Sequence, residues 1–266
     1  MTEDILMSNS KEMGVWEHIT ELRGKLFWAL ISLVVTTLIS FMFAQYAIQV
    51  LAVPIGGIQN VVSIEVTENV GVFFRVSLLS GFILALPFIL FQIISFISPG
   101  LYPQEKRMLL LFIPIATLLF ISGVAFSYFV MLPTAIPFLV SVLGVQTLPR
   151  LSNYIDFVTN LMFWIGVSFE TPLIVFVLAK FHIVTSAALL KQWRFAVVII
   201  AVIAAVVTPT PDPVNMSILM VPLFLLYLLS VLFAYIANPE RQTREERAAK
   251  AEERKQARLA KKKKKK

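Results

Sequence analysis

The chain has 266 residues, of which 58% are hydrophobic and only 15% charged, and its mean hydropathy is +0.82. Soluble domains are closer to half apolar and a quarter charged, so a water-soluble enzyme domain and a largely disordered chain are both excluded. The net charge of +7 comes from one end: residues 241–266 hold 13 Lys and Arg against 4 Glu, the rest is slightly acidic, and nothing argues for nucleic-acid binding by the body.

A helix needs about 20 apolar residues to cross a hydrocarbon core of about 30 Å. Polar residues precede the first apolar run, and that run is too long for a signal-peptide core, so an uncleaved anchor is expected. Val15 to Leu26 reads as an amphipathic helix, with Trp16, Ile19, Leu22 and Leu26 at three- and four-residue spacing. Trp16 suits an interfacial anchor there. Six spans follow, at about 26–44, 76–97, 108–131, 157–179, 195–207 and 214–235. The fourth is interrupted by Glu170 and Pro172. The fifth reaches only roughly 20 Å and needs a thinned bilayer or shelter from its neighbours. The connection after span one holds Pro54, Gly56, Gly57, Glu65 and Glu68, and the one after span three holds Pro133, Pro137, Gly144 and Pro149. Both read as short helices and turns packed on the outer surface. The connection around Asp212 carries Pro209, Pro211 and Pro213 and reads as a stiff turn.

Residues 1–239 thus form a six-span membrane domain, and residues 240–266 a charged tail that is partly helical or disordered. The final lysines suit contact with anionic lipid. Lys11, Arg23, Lys25, Lys106, Arg107, Lys180, Lys191, Arg194 and the tail fall on one side, whereas only Arg75 and Arg150 fall on the other. Lys and Arg accumulate on the cytoplasmic side, so both termini are expected there, and this requires an even number of spans. The fold class is all-α and polytopic.

The catalytic signatures are missing: no phosphate-binding loop, no dinucleotide fingerprint and no zinc-protease motif. Without cysteine there is no disulfide framework or thiolate metal site. His18 and His182 both lie in flanks, so no histidine base sits inside a span. No catalytic residue, metal or cofactor is expected, and an intramembrane hydrolase is remote. Three acids carry the remaining interest. Glu21 can pair with Lys25 at i,i+4, or offer its carboxylate at the inner surface. Glu105 follows Pro103 at a helix start, where it can face the dipole or bind a cationic peptide. Glu170 lies in mid-span, where an ionised side chain costs at least about 2.5 kcal/mol. It is either neutral or water-bridged beside carbonyls freed by Pro172, or a functional point. From the residues alone, a secondary transporter of a small solute or ion using Glu170 remains the alternative function.

Glu17-His18-Ile19-Thr20-Glu21-Leu22-Arg23-Gly24-Lys25-Leu26 resembles the N-terminal motif of the TatC family of twin-arginine protein translocase subunits. Pro99-Gly100-Leu101-Tyr102-Pro103-Gln104-Glu105-Lys106-Arg107 resembles a second motif of that family. Ala52-Val53-Pro54, Leu86-Pro87, Phe91-Gln92, Gly123 to Pro133 and Gly166-Val167-Ser168-Phe169-Glu170-Thr171-Pro172 are similar too. The likeness runs from roughly Trp16 to Tyr235. One departure is Thr208-Pro209-Thr210-Pro211-Asp212, where the family shows Thr-Pro-Pro-Asp.

The resemblance implies a concave, glove-like bundle in the bacterial inner membrane. It implies a core receptor that binds twin-arginine signal peptides of folded cargo and scaffolds small single-span TatA- or TatB-type subunits. Export would be driven by the proton-motive force, and self-association is expected. Glu21 and Glu105 would accept the two guanidinium groups, because carboxylates match their bidentate geometry. The cations Arg23, Lys106 and Arg107 beside them would keep these acids ionised and ordered. Phe96 would contribute an apolar groove for the hydrophobic part of the signal. Glu170 and Gln92 would be polar points inside the membrane that contact partner subunits. Pro54, Pro87 and Asp212 would set shape.

Overall fold

A computed structural model describes residues 15–97, 103–141, 148–181, 183–208 and 213–237. Their regular structure is helical: α1 (Val15–Phe41), α2 (Ala44–Ala52), α3 (Glu68–Ile97), α4 (Pro103–Phe126), α5 (Leu132–Ser141), α6 (Leu151–Phe169), α7 (Thr171–Lys180), α8 (Ser186–Lys191), α9 (Trp193–Val207) and α10 (Pro213–Ala237). A π-helical turn, Ser127–Met131, joins α4 to α5. Among the described residues, five stretches are long and apolar enough to cross a membrane: Ile19–Phe41, Glu68–Ile97, Leu110–Val140, Leu151–Lys180 and Asn215–Ala237. The 15 residues of α9 reach only about 22 Å. Asp212, Tyr102 and the tail from residue 240 lie outside the described residues, as do the side chains of Glu105, Lys106 and Arg107.

The chain divides into two units, residues 1–48 with 70–117 and residues 49–69 with 118–266. In the first, α1 and α3 pack antiparallel, and three contacts fix their register. Lys25 Nζ donates to Ser95 Oγ at 2.7 Å. Thr36 Oγ1 donates to the Gly81 carbonyl at 2.8 Å. The Phe41 ring lies 5.8 Å from those of Phe73 and Phe74. Gly81 is required where the helices cross: a Cβ there would sit 2.6 Å from Thr37 Cα and 2.7 Å from Thr37 N. Ser77, Gly81 and Ala85, four residues apart and all buried, form the small-residue stripe that lets membrane helices approach closely. The apolar run of α1 continues past its end. A turn closes at Met42 and Phe43, whose amides donate to Ile39 and Ser40 carbonyls at 3.1 and 3.0 Å, and α2 begins at Ala44. Likewise α3 begins at Glu68, eight residues before the apolar stretch at Val76, because a single Arg75 does not end a helix. Pro87 lies inside α3, where it removes the amide that would bond the Ile83 carbonyl.

In the second unit, α6 buries Leu151, Tyr154, Ile155, Val158, Leu161, Met162, Ile165 and Phe169, which is one helical face at three- and four-residue spacing. It crosses α4 where Gly123 meets Phe169 and Gly166 meets Phe120; a Cβ on either glycine would fall 2.7–2.8 Å from the facing ring. The Phe176 and Phe233 rings, 6.3 Å apart and edge to face, join α7 to α10. The Tyr227 hydroxyl donates to the Leu189 carbonyl at 2.6 Å, tying α10 to α8. The start of α8 is capped by Thr185, whose Oγ1 accepts from the Ala188 amide at 3.2 Å.

Candidate functional site

Glu21 lies half-buried on α1, and its Oε2 is shielded from solvent with no hydrogen-bond partner among the described residues. The i,i+4 pair with Lys25 that the spacing allows is not formed. The Lys25 ammonium is instead held by Ser95, near the end of α3. Because α1 and α3 are antiparallel, Glu21 stands four residues beyond the Lys25–Ser95 level, about 6 Å further along α1. It therefore faces the end of α3 from which the chain leads to α4. Phe96 and Gln92 occupy that same end of α3, the first half-buried and the second buried. Arg23 is exposed. The backbone at Glu105, Lys106 and Arg107 is helical in the first turns of α4. Ser95 belongs to none of the motifs; a lone hydroxyl in the last apolar turn of α3 is its one signal in the sequence.

Glu170 belongs to the second unit. The helix breaks at this residue: α6 ends at Phe169 and α7 starts at Thr171, with Pro172 in its first turn. The Glu170 amide donates to the Val167 carbonyl at 3.0 Å, and Thr171 Oγ1 donates to the Ser168 carbonyl at 2.6 Å. The carboxyl group is buried, and neither oxygen has a hydrogen-bond partner among the described residues. Its neighbours Ser168 and Thr171 line a cleft of about 240 Å³ together with Gln192, Ile199, Leu223 and Tyr227. The walls are mostly apolar with a few convergent polar groups, the usual make-up of a recognition cleft.

A third arrangement joins the segment after α2 to the start of α6. Pro54 opens a single helical turn, Val53–Ile55, that ends on Gly56 and Gly57 with φ of +88° and +106°, a backbone conformation that favours glycine. The segment then pairs with residues 149–151: the Val62 amide donates to the Pro149 carbonyl at 3.1 Å, and the Leu151 amide to the Val62 carbonyl at 2.8 Å. Glu68, with a side chain only 1% exposed, is the centre of this clasp. Its Oε1 accepts from the Ser152 amide at 2.7 Å. Its Oε2 accepts from the Ile64 amide at 2.9 Å and from Arg150 Nε at 3.0 Å. Arg150 Nη2 also meets Glu65 at 2.8 Å. The bonds to Glu65 and Glu68 push the guanidinium above its already high value. Two phenols complete the fastening: Tyr128 donates to the Val50 carbonyl at 2.8 Å and Tyr154 to the Leu51 carbonyl at 2.6 Å. The sequence marked Glu68 and Arg150 only as loop charges, and their 82-residue separation hid the pairing.

Residues 17–222 match the family model of the Sec-independent protein translocase protein TatC. The chain belongs to the TatC family. A Sec-independent protein translocase protein TatC of Deinococcus radiodurans is 39% identical over 240 residues, covering 86% of this chain and 89% of that protein. That of Aquifex aeolicus is 35% identical over 240 residues, covering 86% and 98%. The crystal structure of the twin-arginine translocase receptor TatC in DDM superposes with a TM-score of 0.71 at 34% identity, over 82% of this chain and 99% of that one. A second crystal structure of that receptor gives a TM-score of 0.69 at 33% identity. Family membership places the chain among protein translocase components, not among the small-solute transporters that Glu170 alone left open.

Proposed function

We propose that this TatC-family chain is the receptor of a twin-arginine translocase. It binds the signal peptide of folded cargo at its inner face and scaffolds small single-span partner subunits. The observation that carries this reading is the structural likeness to the twin-arginine translocase receptor over 99% of that chain. Glu21 and Glu105 accept the two arginines of the signal. The shielded, unpartnered Oε2 of Glu21 supports this role, because such an oxygen gains most from an incoming cation. Arg23, Lys106 and Arg107 flank the acids in sequence and order them, and Phe96 offers apolar surface to the rest of the signal. Glu170, with Gln92, serves the single-span subunits inside the membrane. The buried carboxyl beside the α6–α9 cleft supports that assignment, since a carboxyl without partners in a lipid environment is costly unless something meets it.

The chain sits in the bacterial inner membrane with both termini cytoplasmic and six spans, of which α9 is the short fifth. It self-associates, and its basic tail lies on anionic lipid. Photo-crosslinking tests the receptor reading, with probes beside Glu21, Glu105 and Glu170 and a synthetic twin-arginine peptide. Glu21→Gln and Glu105→Gln are expected to abolish crosslinking at the first two positions while the protein still inserts. Undiminished crosslinking in both variants would overturn the reading.

A further inference from the structure

We propose that Lys25 and Ser95 form a positioning pair that holds the lysine ammonium off Glu21 and so keeps this carboxylate open to a guanidinium. The inference rests on the receptor role of Glu21. Glu21 and Lys25 lie four residues apart on α1, with the acid on the N-terminal side, and this is the favourable order for an ion pair on one helical face. That contact is nevertheless absent. Lys25 Nζ lies 2.7 Å from Ser95 Oγ, on a helix 70 residues away. Glu21 Oε2 is shielded and has no hydrogen-bond partner among the described residues.

The distinction matters because of donor geometry. An ammonium in contact with a carboxylate occupies the lone pairs that a planar guanidinium needs for a two-bond fork. An ammonium held by another acceptor leaves those positions unfilled. Ser95 supplies the alternative acceptor, and the antiparallel register of α1 and α3, fixed also by Thr36 on Gly81, places it within reach. Ser95 therefore acts on the signal through Lys25 and Glu21, not by touching it.

The test measures binding of a fluorescent twin-arginine peptide to the full detergent-solubilised chain at low and high salt. Glu21→Gln comes first, and its loss of binding marks the receptor reading as intact. Ser95→Ala then frees Lys25 to pair with Glu21 and weakens binding by about two- to fivefold at low salt, the competition expected of a partly exposed helical ion pair. The loss shrinks as salt screens the pair. Ser95→Thr, which keeps a hydroxyl, binds as the parent does. Lys25→Met in the Ser95→Ala background restores affinity, and Lys25→Met alone binds at least as tightly as the parent. A merely structural bond gives the opposite pattern, in which Lys25→Met reproduces the loss. That pattern, or parental affinity in Ser95→Ala, overturns the proposal. If Glu21→Gln itself binds normally, the receptor reading falls instead, so the two failures are distinguishable.

Discussion

Replacing Glu68 by Ala should unfasten the clasp between the α2–α3 segment and α6. The carboxylate is almost fully buried and accepts from Ser152, Ile64 and Arg150 at 2.7–3.0 Å. Arg150 keeps Glu65 as a partner, although that side chain is 62% exposed and its bond is correspondingly screened. The Ser152 and Ile64 amides keep nothing. Each hydrogen bond to a charged acceptor is worth about 1.5–3 kcal/mol, and the Arg150 bond counts least, since that side chain is 30% exposed and keeps Glu65. These contributions overlap and do not add, which puts the expected loss at about 3–4 kcal/mol for Glu68→Ala. Glu68→Gln retains one acceptor oxygen but turns an NH2 towards donors, so about half that loss is expected. The global measurement is denaturant unfolding in detergent. The local one is amide exchange at Leu151 and Ser152, which should accelerate far more than at Ile155 in the same helix. Parental stability together with unchanged protection at Leu151 would refute the reasoning, because it would mean that the Val62 strand contact holds the segment without the carboxylate.

Gly81→Ala should cost about 1–3 kcal/mol, since the new methyl meets the backbone of Thr37 and cannot be relieved by a side-chain rotation; thermal unfolding of the variant checks this. Tyr154→Phe removes the bond to Leu51 and should cost about 0.5–1.5 kcal/mol, plus the exposure of an orphaned carbonyl, measured in the same way. Glu170→Gln should leave stability nearly unchanged, because the amide has the shape of the carboxyl and no hydrogen bond of either oxygen to the described residues is lost. The same variant should still bind signal peptide yet fail in export, so reconstituted transport and peptide binding measured together decide it. Thr185→Ala should lower stability by about 1 kcal/mol through loss of the α8 cap.

Hydropathy alone exposed the apolar helices, because a run such as Leu84 to Ile94 has no other stable form in a membrane. It did not expose where helices end. At Phe41 and Ala44 the composition does not change, so a turn closed by backbone hydrogen bonds was invisible. Glu68 begins a helix eight residues before the uncharged stretch, since bilayer boundaries and helix boundaries answer to different physics. The break at Glu170 was legible because Pro172 lacks the amide a continuing helix needs. At the candidate site, the acids were visible as residue types in motifs. The diversion of Lys25 to Ser95 was not, because it depends on an antiparallel register set elsewhere, by Gly81 and the Phe41 rings.

The phenols of Tyr128 and Tyr154 grip two successive carbonyls, Val50 and Leu51, at the end of one short helix. Neither fastening carries charge. Concentrated brine, which weakens the attraction between Arg150 and the exposed Glu65, leaves them untouched. In such a medium this corner of the molecule would stay pinned while its ionic neighbour slackens, so the two kinds of anchorage can be pulled apart by ionic strength alone.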